Sequence, residues 1–174
     1  MFITQEYLLS LIDSHVKETI YRKYQDSDPQ DVTNCLTELM KYLYLVSKYP
    51  KTLSATFIPI TQEVDDMWHQ MILQTRYYPQ ICERLPGKRF VHHESMPFES
   101  YISEHEQQNL VHEILRWVPY YVKTFGDIQP TSMKYWWFFN TIIDVQKLEL
   151  NKLNEMGRND TYFEMNMGVV EAYS

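Results

Sequence analysis

Glycine is scarce in this chain, with 4 residues among 174, and this scarcity restricts the possible architectures. Glycine is the usual residue where a backbone must turn tightly, bend within a strand or approach a phosphate group closely. The composition therefore argues against a strand-rich fold with many tight turns. It also argues against a nucleotide-binding α/β enzyme, which needs glycine-rich phosphate loops.

Long apolar runs and cysteines are also few. No stretch reaches the roughly 18 consecutive apolar residues of a membrane-spanning helix, and no basic segment precedes an apolar one at the start of the chain. Two cysteines, Cys35 and Cys82, are too few for a disulfide framework and fit a reducing compartment. We therefore expect a soluble, cytoplasmic protein without a membrane partner.

Basic residues are outnumbered, with 16 Lys and Arg against 23 Asp and Glu, which gives a net charge of −7. No run of Lys or Arg is present. Nucleic-acid binding depends largely on the neutralisation of phosphates by basic side chains. We therefore expect no nucleic-acid partner, which leaves a partner protein or a small-molecule ligand.

Helical spacing of apolar residues runs through most of the chain, of which 44% is hydrophobic. Apolar residues recur three and four positions apart, as in amphipathic helices. Thr4 is the predicted cap of the first helix, Pro29 opens the second, and Gly126 ends the fifth. The predicted helices cover residues 4–24, 29–48, 62–75, 79–85, 103–125 and 131–155.

These patterns predict an all-α fold, a single-domain irregular helical bundle of about six helices with one short extended segment over residues 88–97. The helix over 131–155 has so broad an apolar arc that it should be central. Pro119 should bend or split the helix in which it lies, which is predicted to start near Ser103. The helical domain should comprise residues 1–156, and residues 157–174 should form a loosely docked or mobile tail.

The third predicted helix carries an acidic and an imidazole side chain on its apolar side. Asp65 and His69 are four residues apart and share one face of that helix, between Ile72 and Leu73 on the helical wheel. A buried carboxylate without a partner costs several kcal/mol, so Asp65 needs a charged imidazole, backbone donors or a metal ion. The two residues are either a structural intrahelical pair or two ligands of one metal ion.

Two more imidazoles follow in the extended segment, at His92 and His93. Adjacent side chains of an extended chain point in opposite directions, so one of the two can complete the site. We take His92 as the third metal ligand, with His93 and Tyr78 assisting proton transfer, and the roles of the two histidines can be exchanged. A carboxylate with two imidazoles fits a divalent metal, zinc or iron, and would support metal-assisted hydrolysis or oxidation.

Two other functions are open. In a non-catalytic interaction module, Asp65, His69 and the two histidines would form a buried hydrogen-bond network, and surface aromatic residues would bind a partner protein. In a thiol enzyme, Cys82 would be the nucleophile and a neighbouring histidine its base. A buried cysteine on a short helix is more commonly a small hydrophobic core residue.

The region around these candidates also resembles a known family. The pattern reads Val64-Asp65-x-x-Trp68-His69-x-x-Ile72-Leu73-x-Thr75-x-x-Tyr78-x-x-x-Cys82, then Gly87, then Phe90-Val91-His92-His93, with a weaker match at Tyr121-x-x-x-Phe125-Gly126-x-x-x-Pro130. It is similar to the signature of the glycine-rich-domain-containing-protein-like family. The resemblance implies a small helical domain whose biochemical activity is largely unassigned.

Overall fold

The computed structural model describes residues 1–53, 59–93 and 107–159, and the regular structure within these ranges is entirely helical. The predicted all-α fold is confirmed. The described ranges contain nine helices: α1 (Gln5–Ser10), α2 (Ser14–Lys23), α3 (Pro29–Lys48), α4 (Gln62–Ile72), α5 (Tyr78–Arg84), α6 (Gln107–Phe125), α7 (Pro130–Met133), α8 (Trp137–Gln146) and α9 (Leu150–Arg158).

The first predicted helix, over residues 4–24, is two helices. Thr4 caps α1 as predicted, because its hydroxyl accepts a hydrogen bond from the backbone N–H of Tyr7 at 3.3 Å. Asp13 then caps α2 by accepting from the backbone N–H of His15 at 2.9 Å. A side chain that bonds to the backbone in this way favours a helix start over a helix interior, so a second helix begins at Asp13.

The central helix is α3. It begins at Pro29 as predicted, and the Asp28 carboxylate accepts from the backbone N–H groups of Gln30 and Asp31. Its side chains are buried almost continuously from Cys35 to Ser47. It contacts α1, α4, α6 and α7, so the candidate site on α4 lies directly against the middle of the bundle.

The prediction of a single long central helix over residues 131–155 is wrong, because this stretch forms α7, α8 and α9. Lys147 adopts the left-handed conformation, with φ 52° and ψ 38°, and the backbone N–H of Leu148 donates to the carbonyl of Ile143 at 3.1 Å. This hydrogen bond is typical of a helix C terminus, although glycine is the usual residue there. The aromatic residues Trp136 and Phe139 are nevertheless fully buried, as their spacing indicates.

The helix α6 continues through Pro119 as one element, so the predicted split does not occur. The start predicted near Ser103 lies outside the described residues. Gly126 ends α6 as predicted, with φ +87°. The last helix, α9, packs on α6, and a Cβ added at Gly157 would lie 2.6 Å from Cγ2 of Val122.

The helix α9 includes Gly157 and Arg158, the first two residues of the predicted tail. Residues 160–174 of the predicted tail lie outside the described residues. One hydrophobic core joins residues from all parts of the described chain, from Leu8 in α1 to Leu153 in α9. None of the helices in the described ranges is long and apolar enough to cross a membrane.

Candidate metal site

Three side chains converge beside α4: Asp65, His69 and His93. Oδ1 of Asp65 lies 2.7 Å from Nε2 of His93, and Oδ2 of Asp65 lies 3.5 Å from Nδ1 of His69. The ring centroids of the two histidines are 4.4 Å apart. One possible ligand atom from each residue lies within 4.8 Å of the other two, so the three side chains can reach a common ion.

This Asp65–His69–His93 cluster is enclosed on one side and open on the other. The side chains of His93 and Asp65 are 9% and 13% exposed, whereas that of His69 is 46% exposed. The cluster therefore meets solvent at its His69 edge. A water molecule or a small substrate can approach from that edge.

The helix α4 presents Asp65 and His69 because its other side is committed to the core. Val64, Met67 and Met71 are buried, and α4 packs on α3 and α2. Asp65 lies in the first turn of α4, where the helix dipole favours a carboxylate. His69 follows one turn later on the same face, which brings the two side chains together as predicted.

His93 comes from a non-helical segment, residues 88–93, that two buried hydrogen bonds tie to α4 and α5. The indole Nε1–H of Trp68 donates to the hydroxyl of Tyr78 at 3.0 Å, and that hydroxyl donates to the carbonyl of Val91 at 2.7 Å. The ring of Trp68 also contacts that of His93, with centroids 4.4 Å apart. These contacts fix the position of the backbone at Val91, two residues before His93, and the orientation of the His93 imidazole.

A close backbone approach precedes this segment at Gly87. Its N–H donates to Oγ of Ser47 on α3 at 3.0 Å. A Cβ at position 87 would lie 2.2 Å from the carbonyl oxygen of Ser47, which is a backbone atom and cannot rotate away. The absence of a side chain therefore lets the chain pass against α3 and return towards α4.

The structure exchanges the predicted places of the two adjacent histidines. Val91 is buried, His92 is exposed, and His93 is turned inward, as the alternation of an extended chain requires. The ring of His92 contacts that of Phe90, with centroids 4.8 Å apart. His92, predicted as a metal ligand, is therefore outside the cluster, and His93 stands in its place.

Tyr78 is bonded to the segment that carries His93, and its catalytic role stays a prediction. Its hydroxyl already donates to Val91 and accepts from Trp68. Burial raises the pKa of Tyr78 well above its usual value of 10.0. Its hydroxyl contacts the cluster indirectly, through the backbone of segment 88–93.

The two cysteines are buried and do not support a thiol enzyme. Each is 1% exposed. Burial raises the pKa of Cys82, and it raises that of Cys35 from 9.0 to about 12. Because the thiolate is the reactive form, both thiols are held in the unreactive state.

A buried phenol lies between the cluster and the core. Tyr42 is fully buried, and its ring lies 5.2 Å from that of Trp68 in an edge-on arrangement. Its hydroxyl has no hydrogen-bond partner in the part of the chain that the structure describes. Burial, and after it the charge of Asp65, raise the pKa of Tyr42.

A second buried charge, not predicted from the sequence, is Glu38 on α3, which is 5% exposed. Its Oε1 accepts from Nζ of Lys41 at 2.8 Å and from Oγ of Ser132 at 2.7 Å. Its Oε2 accepts from Nε1 of Trp136 at 2.8 Å and from the hydroxyl of Tyr121 at 3.2 Å. The position of a glutamate in the apolar middle of α3 is the signal that could have identified it.

Comparison with known proteins changes the family assignment. No curated protein and no solved structure matches the chain. The predicted relationship to the glycine-rich-domain-containing-protein-like family is wrong, because the family model that matches is a different one and extends over most of the chain. It includes all three residues of the Asp65–His69–His93 cluster. The chain belongs to the UCP032817-like family, whose model matches residues 4–131.

Proposed function

We propose that this protein binds one divalent transition-metal ion through Asp65, His69 and His93. The observation that carries the proposal is the convergence of one carboxylate oxygen and two imidazole nitrogens within 4.8 Å. Two histidines and one carboxylate are the ligand set of many catalytic zinc sites and of non-haem iron sites. Three protein ligands leave at least one coordination position for water or substrate.

The spacing of the donor atoms is compatible with an ion after a small movement. Bonds of about 2 Å to one ion place neighbouring donor atoms roughly 3 Å apart. Oδ2 of Asp65 and Nδ1 of His69 are 3.5 Å apart, and Oδ1 of Asp65 and Nε2 of His93 are 2.7 Å apart. The shorter distance is a hydrogen bond, whose proton the metal would displace.

The surroundings of the cluster favour a functional ion over a purely structural one. Structural zinc sites are closed by four protein ligands, whereas catalytic sites keep a position open. The partly exposed side chain of His69 provides that opening here. An ion at this place would activate a bound water for hydrolysis or, as iron, support an oxidation, and its identity decides between the two.

Metal analysis of the purified protein tests the proposal. The protein is purified without a metal-affinity tag, its metal content is measured by mass spectrometry, and the apoprotein is titrated with Zn²⁺ and, without oxygen, with Fe²⁺. We expect about one ion per chain, as three ligands can build a single site. Absence of stoichiometric metal together with absence of saturable binding would refute the proposal.

Two histidine variants make the test specific. His69→Ala removes an exposed side chain of the cluster, and His92→Ala removes an exposed histidine outside it. We expect His69→Ala to weaken binding by more than about tenfold, since even outer partners of metal ligands contribute that much. His92→Ala should bind as the unmodified protein does, and an equal loss in both variants would count against the site.

A structural hydrogen-bond network is the second candidate, and the 2.7 Å contact between Asp65 and His93 favours it, because that bond is complete without an ion. In this case the protein would be an interaction module with partner-binding aromatic residues at its surface, such as Tyr7 and Phe90, which are 45% and 46% exposed. His93→Ala would then lower stability by about 1–3 kcal/mol in chelator. Melting temperatures would not respond to added Zn²⁺ or Fe²⁺, whereas the metal site requires that they rise.

A further inference from the structure

A cavity of about 310 Å³ lies between the N-terminal segment, α3, the end of α6 and the start of α7. It shares no residue with the Asp65–His69–His93 cluster. Phe2 and Phe125 provide apolar surface, and Glu38 and Lys41 lie at its polar side. Its volume is at the lower limit for small-molecule sites, which corresponds to a ligand of roughly ten to fifteen non-hydrogen atoms.

Lys41 is the charged group that the cavity offers to a ligand. Its Nζ donates to Oε1 of Glu38 and to the hydroxyl of Tyr121, each at 2.8 Å. An ammonium group has three N–H donors, and among the described residues the third has no acceptor. The side chain is 15% exposed, so the ammonium group is held in place at the cavity wall rather than dispersed in solvent.

Glu38 is not available to bind a cationic ligand. Its two oxygens already accept from four donors, on Lys41, Ser132, Trp136 and Tyr121. These donors satisfy the hydrogen-bonding capacity of the carboxylate. All lining residues other than Glu38 and Lys41 are uncharged, so the unused donor of Lys41 is the charged donor that the lining offers to a ligand.

The part of the cavity lined by Phe2 and Phe125 favours an apolar group of the ligand. Nζ of Lys41 lies 5.7 Å from the ring centroid of Phe125, and Phe2 lies over Gly126, the residue that follows that ring. A ligand whose oxygen meets Lys41 could therefore bring its remainder into contact with these aromatic side chains, which both line the cavity. A charge-assisted hydrogen bond at one end and aromatic contact at the other fit a carboxylate attached to a small ring.

We propose that this cavity binds a small monocarboxylate with an aromatic or other apolar ring, through the ammonium group of Lys41 and the rings of Phe2 and Phe125. This ligand site is separate from the Asp65–His69–His93 cluster. It requires neither an ion nor the side chains of α4.

Titration with simple aromatic acids tests the proposal. Benzoate, phenylacetate and 3-phenylpropanoate are titrated in chelator by calorimetry and by ligand-observed NMR, with phenylacetamide as the uncharged comparison. We expect saturable binding of at least one acid and binding of the amide that is about tenfold weaker or more, since the amide lacks the charged oxygen. Failure of all three acids to bind, or equal binding of phenylacetate and its amide, would overturn the proposal.

Three variants locate the binding. Lys41→Met should weaken binding by about tenfold or more, and Lys48→Met, two turns further along α3 and outside the cavity, should not change it. Thr131→Trp places a large ring at the exposed edge of the cavity without touching Glu38, and should abolish binding in a folded protein. If Lys41→Met does not fold, Thr131→Trp decides alone, and unchanged affinity in that variant refutes the site.

Discussion

Replacement of Tyr78 by phenylalanine tests whether its hydroxyl positions His93. The substitution keeps the ring and removes the hydroxyl, which links the indole N–H of Trp68 to the carbonyl of Val91. Both of those groups would then lack a partner in a place that water does not reach, since Trp68 is fully buried and Val91 is 7% exposed. The expected result is a less stable protein with a displaced His93.

The size of the effect follows from the two groups left unpaired. Each buried polar group without a partner costs about 1–3 kcal/mol, so the free energy of unfolding should fall by about 2–6 kcal/mol. For a chain of this length, the melting temperature should fall by roughly 4–24 °C. If the Asp65–His69–His93 cluster binds metal, affinity should also fall about 10–100-fold, as it does when an outer partner of a metal ligand is removed.

Urea unfolding in chelator measures the loss of stability, and metal titration measures the loss of affinity. Tyr77→Phe is the control, because Tyr77 is adjacent and its hydroxyl has no hydrogen-bond partner among the described residues. Unfolding free energies within about 0.5 kcal/mol of each other for the Tyr78 and Tyr77 variants would refute the reasoning. Lower stability with unchanged metal affinity would mean that the link through Val91 does not position His93.

Three further predictions concern other parts of the fold. Glu38→Gln removes the charge opposite Lys41 in a buried pair and should lower the free energy of unfolding by about 3–5 kcal/mol in urea, whereas a loss below about 1 kcal/mol would mean that the pair is solvated. Gly87→Ala should lower stability by about 1–3 kcal/mol, since its Cβ would clash with the Ser47 carbonyl oxygen, and an unchanged melting temperature would contradict that close approach. Stability should fall as the pH rises from about 9 to 12, because burial raises the pKa of Cys35 from 9.0 to about 12 and the thiol ionises first in the unfolded chain. Cys35→Ala should reduce this pH dependence of stability. An undiminished pH dependence in the variant would refute its assignment to Cys35.

Local rules accounted for the parts of the fold that depend on neighbouring residues. The caps at Thr4 and at Asp28 with Pro29 lie where the side-chain chemistry requires them. The pairing of Asp65 with His69 follows from a four-residue spacing on one helix face. In these cases the interacting groups lie within one or two turns, so the sequence contains the whole interaction.

Interactions across the chain were not accessible in the same way. Trp136 donates to Glu38 from 98 positions away, and no local pattern indicates that pairing. The break between α8 and α9 depends on Lys147, a residue with no special tendency towards the left-handed conformation that it adopts. Tertiary packing decides both features, because the core gained by folding outweighs the local preference.

The choice between His92 and His93 shows where local and distant information meet. Alternation along an extended segment allows either histidine to face α4, and the sequence cannot fix the phase of that alternation. The structure fixes it through Val91, which is buried and whose carbonyl accepts from Tyr78. Since Tyr78 is in turn bonded to Trp68, the residue beside His69, the same helix that supplies two members of the cluster also selects the third. The packing of Trp68 in the core and the choice of His93 as the third member of the cluster therefore depend on the same set of contacts.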